Sequence, residues 1–286
     1  LASSGSVALI IPPSITIIIY CTVTGASVGK CFIAGVTAGL LFGLSSLIYI
    51  YFYSKKLNLP RDKRSSLGEL WKATKNAFAA LMVPVIILGG IYSGICTPTD
   101  AAAVSAVYAM IVGLFIYKEM TLKDLWKVLV DSAVGTAQVL VLMSSATILG
   151  WILTVSNLSS TLTNVLLGDV TSKVLFLLII NIILLIFGMF MDGSASILIV
   201  APLVYPMAVA MGIDPIHLCL IMISNLAIGM YTPPFGMNLF VTSGITKQDL
   251  VEMLPGVWPF LAVNLASLLV ITYCPSLIMF LPNLAA

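Results

Sequence analysis

The sequence predicts an all-α protein that crosses a lipid bilayer many times and is built in part by duplication. Three observations carry this. First, of 286 residues 60% are hydrophobic and only 8% charged, with a mean hydropathy of +1.14. A soluble domain carries about 25% charged residues, so there is too little polar surface here to cover a water-soluble globule. Second, apolar runs of roughly 20 residues, the length that spans a hydrocarbon core, recur along the chain. They do not alternate as the strands of a membrane barrel would. Third, "SSGSVALIIPPSITIII" from Ser3 and "SNLAIGMYTPPFGMNLF" from Ser224 each place two prolines inside an apolar run. Pro12–Pro13 and Pro233–Pro234 lie 221 positions apart, as do Ser3–Ser4 and Ser224–Asn225. Two coincidences in one register point to a duplicated unit.

Taken in order, apolar segments cover about 14–23 and 28–53, separated by "TGAS". The next stretch holds Lys55, Lys56, Arg61, Lys63, Arg64, Lys72 and Lys75, and a basic loop stays on the cytoplasmic side. Within it Leu67, Leu70, Trp71 and Phe78 recur at helical spacing, with Thr74 the one polar residue on that stripe. An arm helix lying in the membrane interface is expected there. Segments near 79–95 and 100–117 cross, and "YKEMTLKDLWKVLVD" repeats the basic, Trp-bearing pattern through Leu122, Leu125, Trp126 and Leu129 before a crossing at 132–155. Residues 172–211 read as a re-entrant hairpin with its tip at "FGMFMDGSAS". The crossings at 217–243 and 257–281 then leave Lys247 in the cytoplasm and the C-terminus periplasmic. The expected organisation is 1–53 as the end of a first repeat, 54–78 as basic loop and arm, 79–171 as scaffold helices with a second arm, and 172–286 as hairpin, broken helix and final span. The chain opens at Leu1 inside what reads as the middle of a repeat, so a preceding segment is expected.

Proline lacks an amide donor and clashes with the carbonyl four residues earlier. Each proline pair should unwind a spanning helix and free carbonyls such as Ala8 and Ile11, or Gly229 and Thr232. With the hydroxyls of Ser4 and Thr232 these are hard oxygen ligands suited to an alkali cation, while half-helix N-termini can face an anion. A proline kink alone is common in membrane helices, and it is the duplication beside small polar residues that favours a site. Asp192 is the only carboxylate between Asp169 and Asp214. It reads as a cation counter-charge or substrate-orienting group, and also as an N-cap for a helix starting at Gly193. Ser194 and Ser196 can add hydroxyls or merely pack. Asp100 reads as an N-cap for a helix at Ala101, and His217 as an interfacial loop residue rather than a proton relay. The five cysteines (Cys21, Cys31, Cys96, Cys219, Cys274) show no CxxC or Cys/His clustering and read as buried free thiols. No nucleophile–base arrangement or phosphate loop points to an enzyme. The net charge of +2 does not point to nucleic acid, because the cations flank membrane segments.

"GGIYSGICTPTDAAAVSAVYA", "FGMFMDGSASILIVAPLVYP", "SNLAIGMYTPPFGMNLF" and the opening "ASSGSVALIIPPSITIIIY" resemble the large membrane subunit of tripartite ATP-independent periplasmic (TRAP) transporters along essentially the whole chain. The resemblance implies an inverted-repeat, elevator-type, sodium-driven importer in the bacterial inner membrane. Such a protein takes an organic acid, sialic acid or a C4-dicarboxylate, from a periplasmic substrate-binding protein and works with a small four-helix membrane subunit. It also implies sodium sites: Ser3, Ser4, Gly5, Ala8 and Ile11 in one, and Gly188, Gly229 and Thr232 in the other. Asp192, Ser194, Ser196 and Asn225 would then serve the substrate. The family's first hairpin would lie before Leu1, leaving the first site incomplete, and Ala8 stands where the family often has glycine. A sodium/anion symporter of similar fold without a binding protein is the alternative expectation; a membrane enzyme or passive channel fits less well.

Overall fold

The computed structural model describes residues 1–57, 64–156 and 172–284. Arg61, Lys63 and Asp169 of the sequence reading lie outside the described residues. Twelve α-helices and no strand occur among those described: α1 Ala2–Val7, α2 Ile15–Thr24, α3 Val28–Lys56, α4 Leu67–Tyr92, α5 Pro98–Ile111, α6 Leu122–Val155, α7 Lys173–Phe190, α8 Gly193–Ala210, α9 Pro215–Gly229, α10 Met237–Thr246, α11 Leu250–Tyr273 and α12 Pro275–Leu284. A π-helical turn, Val112–Ile116, extends α5. Seven of the described helical segments are long and apolar enough to cross a membrane. The all-α, polytopic class expected from composition is the observed one.

The chain forms two compact units, residues 57–141 and residues 1–56 with 142–286. In the smaller unit, α4 packs on α5. Tyr108 Oη donates to Ala79 O at 3.0 Å and Tyr117 Oη to Asn76 O at 2.8 Å. Ser66 and Glu69 close a reciprocal capping box at the start of α4. No breaker separates Leu67–Phe78 from the apolar stretch that follows, and α4 runs through both. The expected change of element near residue 78, from interfacial arm to crossing span, is therefore absent. α6 likewise carries the second Trp-bearing stretch and its apolar continuation as one helix. Asp100 does not cap a helix at Ala101: the helix starts at Pro98, Thr97 is its N-cap, and Asp100 is the reciprocal partner that receives the Thr97 N–H and hydroxyl.

In the larger unit α9 is the central element. Every residue from His217 to Tyr231 is buried, and α7, α8, α3 and α11 pack around it. A helix apolar on all sides has to be enclosed in this way. Asp214 caps it by accepting the Ile216 N–H at 2.7 Å, and Pro215 supplies the fixed first φ of the helix. His217 is not an interfacial loop residue: it is buried in the first turn of α9 and its Nε2 donates to Ile271 O at 2.7 Å. Cys21, Cys31 and Cys219 are buried free thiols as expected, whereas Cys274 is exposed and Cys96 half-buried. The duplication holds at the level of elements. Moved by 221 positions, α2 falls on 236–245 and the start of α3 on 249, matching α10 and α11 to within a residue.

Helix α7 meets α9 backbone to backbone. A Cβ built on Gly229 would stand 2.5 Å from both Cα and C of Gly188, where no flexible side chain can yield. Gly229→Ala should therefore cost at least about 1–3 kcal/mol, read as a lower thermal midpoint in detergent. Gly256→Ala, with nothing near the added carbon, should shift it far less.

Candidate functional site

Both proline pairs interrupt a helix as expected. α1 ends at Val7 and α2 begins at Ile15; α9 ends at Gly229 and α10 begins at Met237. Both Pro–Pro peptides are cis. The carbonyls four residues before the prolines are Ala8, Leu9, Gly229 and Met230, which cannot be served by a proline nitrogen. Three find substitutes. Ser14 Oγ donates to Leu9 O at 2.5 Å, the Asn238 N–H reaches Met230 O at 2.8 Å, and the Thr232 N–H reaches Gly229 O at 2.9 Å. Thr232 O in turn accepts the Gly236 N–H at 3.1 Å. Only glycine fits at 236, since a Cβ there would stand 2.8 Å from Met230 O and 2.9 Å from Thr232 O. The expectation of four freed carbonyls is thus corrected. No described donor reaches Ala8 O or Ile11 O, whereas Gly229 O, which accepts the Thr232 N–H, and Thr232 O, which accepts the Gly236 N–H, each keep one lone pair.

The α7–α8 hairpin is seated against both breaks. Gly188, in the last turn of α7, lies on Gly229, and the Phe190 ring packs on Phe235 of the second break with centroids 5.3 Å apart. Gly193, first residue of α8, abuts the first break, where a Cβ would stand 2.9 Å from Leu9 Cδ2 and 3.7 Å from Thr16 Oγ1. Lys173 Nζ donates to Gly212 O at 3.0 Å and joins the two ends of the hairpin.

At its tip Asp192 is exposed, and its Oδ2 accepts the Ser194 N–H at 2.8 Å, so the carboxylate is an N-cap. Ser194 is half-buried. Ser196 is fully buried and its Oγ has no described partner. Thr232 Oγ1 donates to Ile228 O at 2.7 Å, which leaves its oxygen free to accept or ligate. Asn225 is fully buried. Its Nδ2 donates to Asn181 Oδ1 and to Ile221 O, both at 2.7 Å, while its Oδ1 and the neighbouring Ser224 Oγ have no described partner. In the first repeat Ser3 is buried, while Ser4, Gly5, Ala8 and Ile11 are exposed. Ser3 and Ser4 line a cavity of about 380 Å³ together with Tyr231, Thr242 and Glu252. The structure therefore brings Gly188 to Gly229 and groups Asp192, Ser194 and Ser196 in one capping turn.

The sequence reading missed three buried amide and hydroxyl partners: Asn181, Thr272 and Asn264. Asn181 links Asn225 to Thr272, donating to Thr272 Oγ1 at 3.1 Å. Each asparagine stands alone in an apolar run, and polar residues in such runs commonly join helices, which was the available signal. Among the described residues no group of three or more His, Cys, Asp or Glu could hold a metal. The unspent donors are carbonyl, hydroxyl and amide oxygens, which suit a hard cation rather than a transition metal.

Fold and site together define a polytopic α-helical membrane protein with two duplicated, interrupted helices and a hairpin seated on both. Comparison with known families matches residues 1–277 to the tripartite ATP-independent periplasmic transporter, DctM component, and the chain belongs to that family. It is 43% identical over 281 residues to the C4-dicarboxylate TRAP transporter large permease protein DctM of Pseudomonas aeruginosa, covering 98% of this chain and 66% of that one. Identity to the isethionate TRAP transporter permease protein DctMQ of Oleidesulfovibrio alaskensis is 43% over 280 residues, 98% of this chain and 44% of the relative. Identity to the sialic acid TRAP transporter large permease protein SiaM of Vibrio cholerae is 36% over 283 residues, 99% of this chain and 66% of the relative. The chain thus spans about half to two thirds of the length of these relatives. The family and its members are transporter permeases, not enzymes, and multi-pass inner-membrane proteins.

Asn181→Leu should leave the Asn225 amide and the Thr272 hydroxyl short of a partner in the core. A cost of about 1–3 kcal/mol follows, visible as a lower thermal midpoint in detergent; an unchanged midpoint would show that the pair does not hold α7 to α9.

Proposed function

We propose that this chain is the hairpin-bearing part of a sodium-coupled importer of small organic anions. The observation that carries this reading is the hairpin seated on two duplicated helix breaks that still have oxygen donors to spend. Sodium is the co-transported substrate. One ion would be held by Ser3, Ser4, Gly5, Ala8 and Ile11, where the Ala8 and Ile11 carbonyls have no described donor. A second would be held by Gly188, Gly229 and Thr232, where the Thr232 oxygen is free because its proton points back to Ile228. The organic anion would meet Ser194 and Ser196 at the start of α8, whose free amides favour negative charge, and Asn225 of α9. Asp192 opposes an anion there unless a cation stands between them. Sodium binding would thus lower the cost of closing over a carboxylate, which couples the two solutes.

The relatives named for C4-dicarboxylates, isethionate and sialic acid all carry an acidic solute in their names, which supports an organic acid here, of the C4-dicarboxylate or sialic acid class. Delivery by a periplasmic binding protein, work alongside a small four-helix membrane subunit, and an inverted-repeat, elevator-type movement of the hairpin unit complete the reading. The C-terminus would be periplasmic. Uptake of labelled succinate or sialic acid into proteoliposomes, with the small subunit present, should require both a sodium gradient and the binding protein. Sodium-driven uptake without the binding protein would favour an autonomous symporter, and uptake indifferent to sodium would overturn the coupling.

Two substitutions separate the cap from the charge at Asp192. Asparagine also caps helices well, so Asp192→Asn should keep the thermal midpoint while weakening apparent sodium affinity roughly tenfold, about 1.4 kcal/mol. Asp192→Ala should lose about 1 kcal/mol of stability as well. Unaltered sodium dependence in both variants would reduce Asp192 to a cap.

A further inference from the structure

Asn264, in α11, is fully buried and holds the two halves of the duplication with one side-chain amide. Its Nδ2 donates to Ser3 Oγ at 3.1 Å, in α1 of the first repeat, and to Tyr231 Oη at 2.7 Å, the residue before Thr232 in the second break. Its Oδ1 accepts from Ser46 Oγ of α3 at 3.2 Å and, at the limit of hydrogen bonding, from Ser45 Oγ at 3.5 Å. Tyr231 is itself fully buried, and its hydroxyl lies 3.5 Å from Phe260 O. Both N–H groups and the oxygen are therefore committed.

A primary amide has its two N–H bonds in one plane at a fixed angle. A displacement of Ser3 that turned the amide would strain its bond to Tyr231, and a displacement of Tyr231 would act on Ser3 in the same way. We propose that Asn264 is a positioning residue that couples the two breaks, so that a cation held at one raises the affinity for a cation at the other. This rests on the sodium reading above. Ser3 is among the oxygens proposed for the first ion, and Tyr231 immediately precedes Thr232, proposed for the second. Neither the helix packing nor the capping geometry needs one side chain to contact both α1 of the first repeat and the second break, and a purely structural tie would add stability without linking the two bindings.

The test is a titration of radiolabelled sodium on the purified transporter with its small subunit in detergent, which needs no knowledge of the transported acid. The wild type should bind with a Hill coefficient approaching about 2, the number of sites. Asn264→Ala, and separately Tyr231→Phe, which keeps the ring and removes only the hydroxyl, should lower the coefficient to about 1 and raise half-saturation roughly 5-fold or more. If Asn264→Ala does not fold, Tyr231→Phe decides. A wild-type coefficient of about 1, or wild-type cooperativity kept in both folded variants, overturns the coupling and leaves the sodium reading standing. Failure of the wild type to bind sodium overturns the sodium reading and the coupling with it.

Discussion

A carbonyl stripped of its helical amide inside an apolar protein has to be paired by the protein itself, because no water stands ready to pair with it. Four prolines impose that demand at two places in this chain, and the surrounding structure answers it. Ser14 and Asn238 reach back to Leu9 and Met230, and Gly236 lets the second break fold onto itself. The hairpin closes over what remains, with Gly188 against one break and Gly193 against the other. The carbonyls left without donors at Ala8 and Ile11, and the acceptor capacity left on Thr232, are what a hard cation can use. The interruption that costs helix bonding is thus also what supplies the ligands.

Buried asparagines hold this arrangement together. Asn181 and Asn225 tie α7 to α9, and Asn264 ties α1, α3 and α11 to the second break. Each is a polar group whose burial is tolerated only because its donors are spent. Among the described residues the exceptions are Asn225 Oδ1 and Ser224 Oγ on α9, Ser196 Oγ in the hairpin, and Thr37 Oγ1 on α3. Unspent acceptors in an otherwise satisfied core are where a bound ion or an acidic solute gains most.

Much of this was legible in the residues, and the rest was not for identifiable reasons. The paired prolines marked both breaks and the duplication register, and "MDGSAS" marked the hairpin tip, because proline and an aspartate cap act locally. The pairing of Gly229 O with the Thr232 N–H and of Thr232 O with the Gly236 N–H was hidden, since it depends on how tightly the second break turns. The continuity of α4 was missed because an amphipathic pattern giving way to an apolar one looks like a boundary, while no capping residue or breaker sits there to make one. His217 was misplaced because a cap motif beside it suggested a surface position, whereas Ile271 supplies a buried carbonyl from far along the chain. Asn264 was overlooked since a lone asparagine in an apolar run does not announce its partners. The transported acid is encoded in contacts no local motif reveals.

The central claim is that the hairpin tip and both breaks form one cation-binding assembly. The most direct measurement is backbone amide hydrogen exchange in sodium chloride against potassium chloride at equal ionic strength. Slower exchange in sodium at residues 8–11, 190–196 and 230–236, with the remainder of the protein unchanged, is the expected result. Identical exchange in the two salts at all three segments would contradict the claim.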